Sequence, residues 1–123
     1  MSSSVLDANL LNELREAGGS DFASALFEQI GTDFARLHDA LLTEIGTLSA
    51  AQDHELTRVR RLCHELKGLA LTVGATALVN ACAEAEALAQ GSCQNLVLAA
   101  LPGILGLCDE VRIELQRCIA GVA

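Results

Sequence analysis

The sequence predicts an all-α fold: an antiparallel (up-down-up-down) four-helix bundle with an additional short N-terminal helix. Three observations carry that expectation. Apolar residues recur at helical spacing nearly throughout, and no run alternates apolar and polar residues between turn signals as a half-buried strand would. The connections between periodic segments are short, which favours antiparallel neighbours. Finally, a chain of 123 residues that is 51% hydrophobic can bury a real core but has room for one compact domain, so residues 1–123 are read as a single domain.

The elements follow in order. The first helix is expected from about Asp7, a plausible cap, to Ala17, with Leu10, Leu11 and Leu14 on one side and Gly18-Gly19 as its end. The second opens at Ser20-Asp21 and carries one apolar stripe of Phe22, Leu26, Ile30, Phe34, Leu37, Leu41, Ile45 and Leu48. Gly31 falls inside it, for which the sequence offers no reason. The third begins near Asp53 as cap and runs to about Thr72, with Gly74 as its stop signal. The fourth, about Ala75 to Ala89, turns Leu78, Ala81, Cys82, Ala85 and Leu88 inward and ends at Gly91-Ser92. The fifth, about Gln94 to Ile119, turns Val97, Leu101, Ile104, Cys108, Val111, Leu115 and Cys118 inward, and Pro102 either kinks it near its N-terminal end or opens a separate last helix.

Composition excludes several functions. Tyr and Trp are absent and the net charge is −8, so nucleic-acid binding through base stacking or a general basic field is not expected. No run of about 20 apolar residues spans a bilayer, and MSSSVLDANL lacks the basic and apolar segments of a signal peptide, so no membrane association and a cytoplasmic location are expected. The five cysteines, Cys63, Cys82, Cys93, Cys108 and Cys118, form no C-x-x-C pair and read as reduced, mostly buried small hydrophobes.

The stretch CHELKG, residues 63–68, carries the chemistry. With about 100° per residue and His64 at zero, Thr57, Arg60, Arg61, Lys67, Gly68 and Leu71 fall within about 60° of the histidine. On the same count Val59, Leu62, Cys63, Leu66, Leu69, Ala70 and Val73 lie more than about 90° away and face the core. His64 therefore points outward among cations, on a face where the sequence places no acid, hydroxyl or oxyanion donor beside it. Near neutral pH an imidazole keeps one ring nitrogen free as a nucleophile. Lys67, one turn on, would compensate an attached phosphoryl group, and Gly68 removes the side chain that would crowd the ring, at a cost of about 1 kcal/mol in helix propensity. An ordinary solvated helix face is the competing reading, and close helix packing is the competing reason for the glycine.

At these residues the sequence resembles the histidine-containing phosphotransfer (HPt) domain of multistep phosphorelays. The resemblance rests on HELKGLALTVGATALVNAC, residues 64–82, where Gly74, Ala75, Leu78 and Cys82 stand at the family's positions, as does Glu86 beyond them. Upstream, LDANLLNELREAGGSDFASALFEQIGTDF is similar to the family's first helix and glycine-containing turn. The resemblance implies that His64 is the phosphoacceptor, Lys67 the cation near the phosphoryl group and Gly68 the clearance position. Leu69 departs from the small polar residue usual after that glycine, and Glu65 occupies a variable position. Arg60, Arg61 and Leu71 are the expected docking residues, with Leu71 either exposed or covered by the turn into the next helix.

The implied activity is that of a phosphocarrier rather than an enzyme. It accepts a phosphoryl group from a receiver-domain aspartyl phosphate and passes it to another receiver, with no nucleotide site and no bound cofactor, the Mg²⁺ being supplied by the receiver. The implied partners are response-regulator receivers and a hybrid sensor kinase, with the chain itself a monomer. The family is phosphorylated on Nε2, which this sequence by itself does not distinguish from Nδ1. A receiver-binding scaffold without phosphotransfer is the alternative. A metal-binding bundle would need His38 or His54 to converge with His64 from other segments, and none of these histidines shows a ligand spacing.

Overall fold

A computed structural model describes residues 8–50, 56–91 and 93–122. Four helical elements follow one another: α1 (Ala8–Ala50), α2 (Thr57–Thr72), α3 (Thr76–Gln90) and α4 (Gln94–Val122). No strand occurs among the described residues. Each helix packs on its neighbours around a ring, α1 on α2, α2 on α3, α3 on α4 and α4 back on α1, and among the described residues the backbones of neither diagonal pair approach closely. That is the expected up-down-up-down bundle. The candidate caps Asp7 and Asp53, and His54, lie outside the described residues.

The buried positions explain the bundle. On α1 they are Ala23, Phe27, Ile30, Phe34, Leu37, Leu41, Glu44 and Leu48; on α2, Val59, Cys63, Leu66 and Ala70, followed by Val73; on α4, Val97, Leu101, Ile104, Cys108, Val111 and Leu115. Each set advances by alternating steps of three and four, the mean period near 3.5 that keeps one seam of a helix against nearly parallel or antiparallel partners. The inward face expected for α4 holds, with Cys118 partly buried at its end, and α4 runs unbroken through the exposed Pro102. On α3 the buried side chains are Leu78, Cys82, Ala85 and Ala89.

The N-terminal end of α1 departs from expectation. The sequence stripe began at Phe22 and Leu26, yet Phe22 is 50% exposed and Leu26 half-buried, while Ala23 and Phe27 hold the core positions. Steps of four drift around the helix relative to a 3.5 period, so a stripe of large residues spaced by four leaves the seam after two turns. The short leading helix ends at Gly19, whose φ of 84° and ψ of 174° break the helical path. Phe22 lies back over this break, its ring filling the place a Cβ on Gly18 would take. At the other end Glu44 is buried in a core register, its carboxylate 2.9 Å from the Arg58 guanidinium of α2. Nothing lies within 4 Å of a side chain added at Gly31, so packing gives no reason for that glycine.

The connection from α2 to α3 positions the site. Gly74 adopts φ 69°, its N–H donates to the Leu71 carbonyl at 3.2 Å, and the N–H of Ala75 donates to the Ala70 carbonyl at 2.9 Å. This pair of bonds closes the helix end around a left-handed residue and lets α3 follow α2 after a connection of only three residues. Gly74 thus ends the helix as the sequence predicts.

The register of α1 has a measurable consequence. Phe27→Ala should cost about 3–5 kcal/mol in urea unfolding, as for other buried phenylalanines. Phe22→Ala should cost about 1 kcal/mol or less, because half of that ring is already in solvent. The reverse order would place Phe22 in the core.

Candidate functional site

Burial of Cys63 and Leu66 fixes the rotation of α2 and turns His64 outward, with 72% of its side chain exposed. On α3, Leu78, Cys82 and Glu86 succeed one another at single-turn spacing, so a helix anchored by Leu78 and Cys82 carries Glu86 up along the same edge toward His64. The Glu86 Oε2 atom lies 3.1 Å from His64 Nδ1, and its Oε1 lies 2.8 Å from Lys67 Nζ.

Two expectations are corrected here. The histidine is not ringed by positive charge alone, because a carboxylate from the next helix stands against it. Nor is Lys67 a free outward cation; its side chain is 28% exposed and paired across the helix interface. Both corrections have the same cause. His64 and Lys67, three residues apart, share the edge of α2 that borders α3, and proximity between helices is not a property of either helix's own sequence.

Electrostatics makes this contact directional. Burial works to raise the Glu86 carboxyl, but hydrogen bonds and charge from Lys67 and His64 outweigh it and hold the group below its ordinary value. Glu86 is therefore an acceptor-only carboxylate near neutral pH, and Nδ1 of His64 donates to it. In the neutral imidazole the hydrogen then sits on Nδ1, and Nε2 carries the free lone pair.

The opposite flank of His64 opens toward α1. A cleft of about 340 Å³ is lined by Asp33, Arg36 and Leu37 from α1 and by His64, Glu65, Gly68, Leu69 and Thr72 from α2. A Cβ on Gly68 would meet nothing within 4 Å, so the bundle itself has no packing need for this glycine. Open space alone does not single it out, since Gly31, Gly46, Gly103 and Gly106 share it; its place beside the imidazole does. Leu69 is partly buried and walls the cleft, whereas Leu71 is 60% exposed and so not covered by the turn. Arg60 and Arg61 are exposed one turn before His64, on the same helix.

A protein-family model, the Hpt domain, matches residues 21–121. The chain belongs to the Hpt family. Hpt domains are helical bundles with a phosphotransfer role in two-component signalling; they are phosphocarrier modules rather than enzymes and interact with receiver domains. The match begins two residues after the break at Gly19 and leaves the leading helix outside it. No significant match was found among curated proteins, and none among solved structures.

The other candidates of this Hpt domain do not converge on the site. His38 lies against Asp39 at 3.3 Å and Asp109 at 3.4 Å, bridging α1 and α4. Among the described residues no group of three or more His, Cys, Asp or Glu is arranged to hold a metal ion, and no helix is long and apolar enough to cross a membrane. The cysteines are free thiols; burial first, then the charge of Glu86, pushes Cys63 up to about 12, and burial likewise raises Cys82 and Cys108, which keeps them in the unreactive thiol form.

Glu86 links the site to stability. A carboxyl whose value is depressed on folding contributes stability that is complete above its unfolded value and is lost as the pH falls through the folded one. Glu86→Gln should therefore cost about 1 kcal/mol at pH 7, and the gap to the wild type should close as the pH drops below the ordinary 4.5. Urea unfolding at pH 7 and pH 3 measures both. A gap that widens in acid would contradict the contact.

Proposed function

We propose that this Hpt domain is a phosphorelay intermediate: His64 accepts a phosphoryl group on Nε2 from a receiver-domain aspartyl phosphate and passes it to a second receiver. The single observation that carries this reading is the Nδ1 contact with Glu86, which leaves Nε2 as the nucleophilic nitrogen of a solvent-exposed ring. In the forward step the Nε2 lone pair attacks phosphorus, the P–O bond to the aspartyl carboxylate breaks, and that carboxylate departs with the electron pair. The ring keeps its Nδ1 hydrogen throughout and becomes positively charged, a charge that Glu86 faces at 3.1 Å. Transfer onward reverses these events.

The division of labour follows from what the chain offers. His64 stands on a convex face, so in-line positioning and most of the charge neutralisation come from the receiver and the Mg²⁺ it holds; this chain binds no cofactor of its own. Lys67 balances Glu86 in the resting state and supplies positive charge beside the phosphoryl group once it is attached. Gly68 admits the receiver's active-site loops to the imidazole, and Arg60, Arg61 and Leu71 form the docking rim. On this reading the protein acts in the cytoplasm as a monomer, charged by a receiver such as that of a hybrid sensor kinase.

Incubation with a phosphorylated receiver should give an acid-labile, base-stable label on the wild type and none on His64→Gln. A wild type that binds the receiver without labelling would instead make it a docking scaffold. Lys67→Ala should slow transfer by about tenfold while the helical circular dichroism signal is kept, since a partly exposed cation is worth less than a buried oxyanion donor. Gly68→Gln should raise helix propensity yet slow transfer by crowding the ring; unchanged kinetics would remove the clearance argument.

A further inference from the structure

The α1 flank of His64 holds a cation that the transfer chemistry leaves unused. Arg36 Nη2 lies 2.6 Å from Glu65 Oε2, both side chains being about half exposed. Arg36 also shares the walls of the 340 Å³ cleft with His64 and Gly68. The imidazole is oriented by Nδ1 toward Glu86 on the α3 side, which leaves the edge that ends in Nε2 facing away from Glu86, and the same ring lines this cleft on the α1 side. A phosphoryl group on Nε2 thus arrives beside two carboxylates that line the same space, Asp33 and Glu65, and beside one guanidinium.

These charges are not balanced for a phosphorylated state as they stand. A phosphoryl group brings a charge near −2 at neutral pH, which Glu65 and Asp33 oppose. Lys67, already paired with Glu86 at the α3 edge, offsets only part of that charge. Exposed ion pairs contribute little, so releasing Arg36 from Glu65 costs little, whereas a guanidinium takes two phosphate oxygens in parallel hydrogen bonds.

We propose that Arg36 is a phosphoryl-binding residue that exchanges Glu65 for the phosphohistidine, so that phosphorylation of His64 opens the α1–α2 ion pair. This rests on His64 being the phosphoacceptor. Glu65, next to the histidine in sequence, is then the competitor that holds Arg36 in the uncharged protein. The pair reports on the phosphorylation state along the flank of the site where α1 and α2 meet.

The two halves of the ion pair have opposite roles toward the phosphoryl group, which separates this reading from a merely structural bridge. The full chain is charged with phosphoramidate, a donor without a docking surface: Nε2 attacks phosphorus, the P–N bond breaks, and its electron pair leaves with ammonia. The titration of the phosphohistidine is then followed by ³¹P NMR in about 0.5 M salt, where charges not in contact are screened. Arg36→Ala should raise the phosphoryl pKa by about half a unit, Glu65→Gln should lower it by a similar amount, and Arg36→Lys should fall between wild type and Arg36→Ala. Titrations of Arg36→Ala and wild type that coincide, or Arg36 and Glu65 variants that move together, overturn the proposal. A wild type that gains no phosphohistidine signal overturns instead the assignment of His64 as phosphoacceptor.

Discussion

One carboxylate, Glu86, holds the site together. It lies between His64 Nδ1 and Lys67 Nζ, and in doing so it joins two helices, fixes a tautomer and sets the charge around the imidazole. Without it, the imidazole of an exposed histidine would share its hydrogen between both nitrogens and rotate freely. The contact depends on α3 rising beside α2 in a fixed register, and that register depends on the tight turn at Gly74 and on Leu78 and Cys82 packing below. Helix end, core and site are therefore one construction.

The same arrangement orients the imidazole without enclosing it. Only one edge of the ring is engaged, and most of the side chain remains in solvent. The ring lines a cleft together with Gly68, where a Cβ would meet nothing within 4 Å and the helix gives up about 1 kcal/mol of propensity with no gain to the bundle. A walled site would supply its own oxyanion donors. This one leaves that task to whatever docks, which suits a phosphocarrier module that interacts with receiver domains.

Much of this was legible in the sequence, for reasons that differ between elements. The inward face of α4 could be read residue by residue because its large apolar side chains already follow the 3.5 period. The start of α1 could not, because Ala23 is small and Phe22 large, so counting bulk selected the wrong seam; the break at Gly19 and the fold-back of Phe22 decide it. The outward orientation of His64 followed from the wheel, and Gly74 announced its turn. Glu86 was visible only as a residue at a family position without a role, and Arg36–Glu65 gave no signal, since each contact joins residues 22 or 29 apart whose meeting is settled by packing alone.

Glu86 keeps the hydrogen on Nδ1 and leaves Nε2 bare. Two-bond ¹H–¹⁵N correlation spectra of the neutral His64 ring in the unphosphorylated protein read this out. An Nδ1–H tautomer is expected, with a pyrrole-type shift at Nδ1 and a pyridine-type shift at Nε2. A ring found predominantly as the Nε2–H tautomer would remove the role given to Glu86.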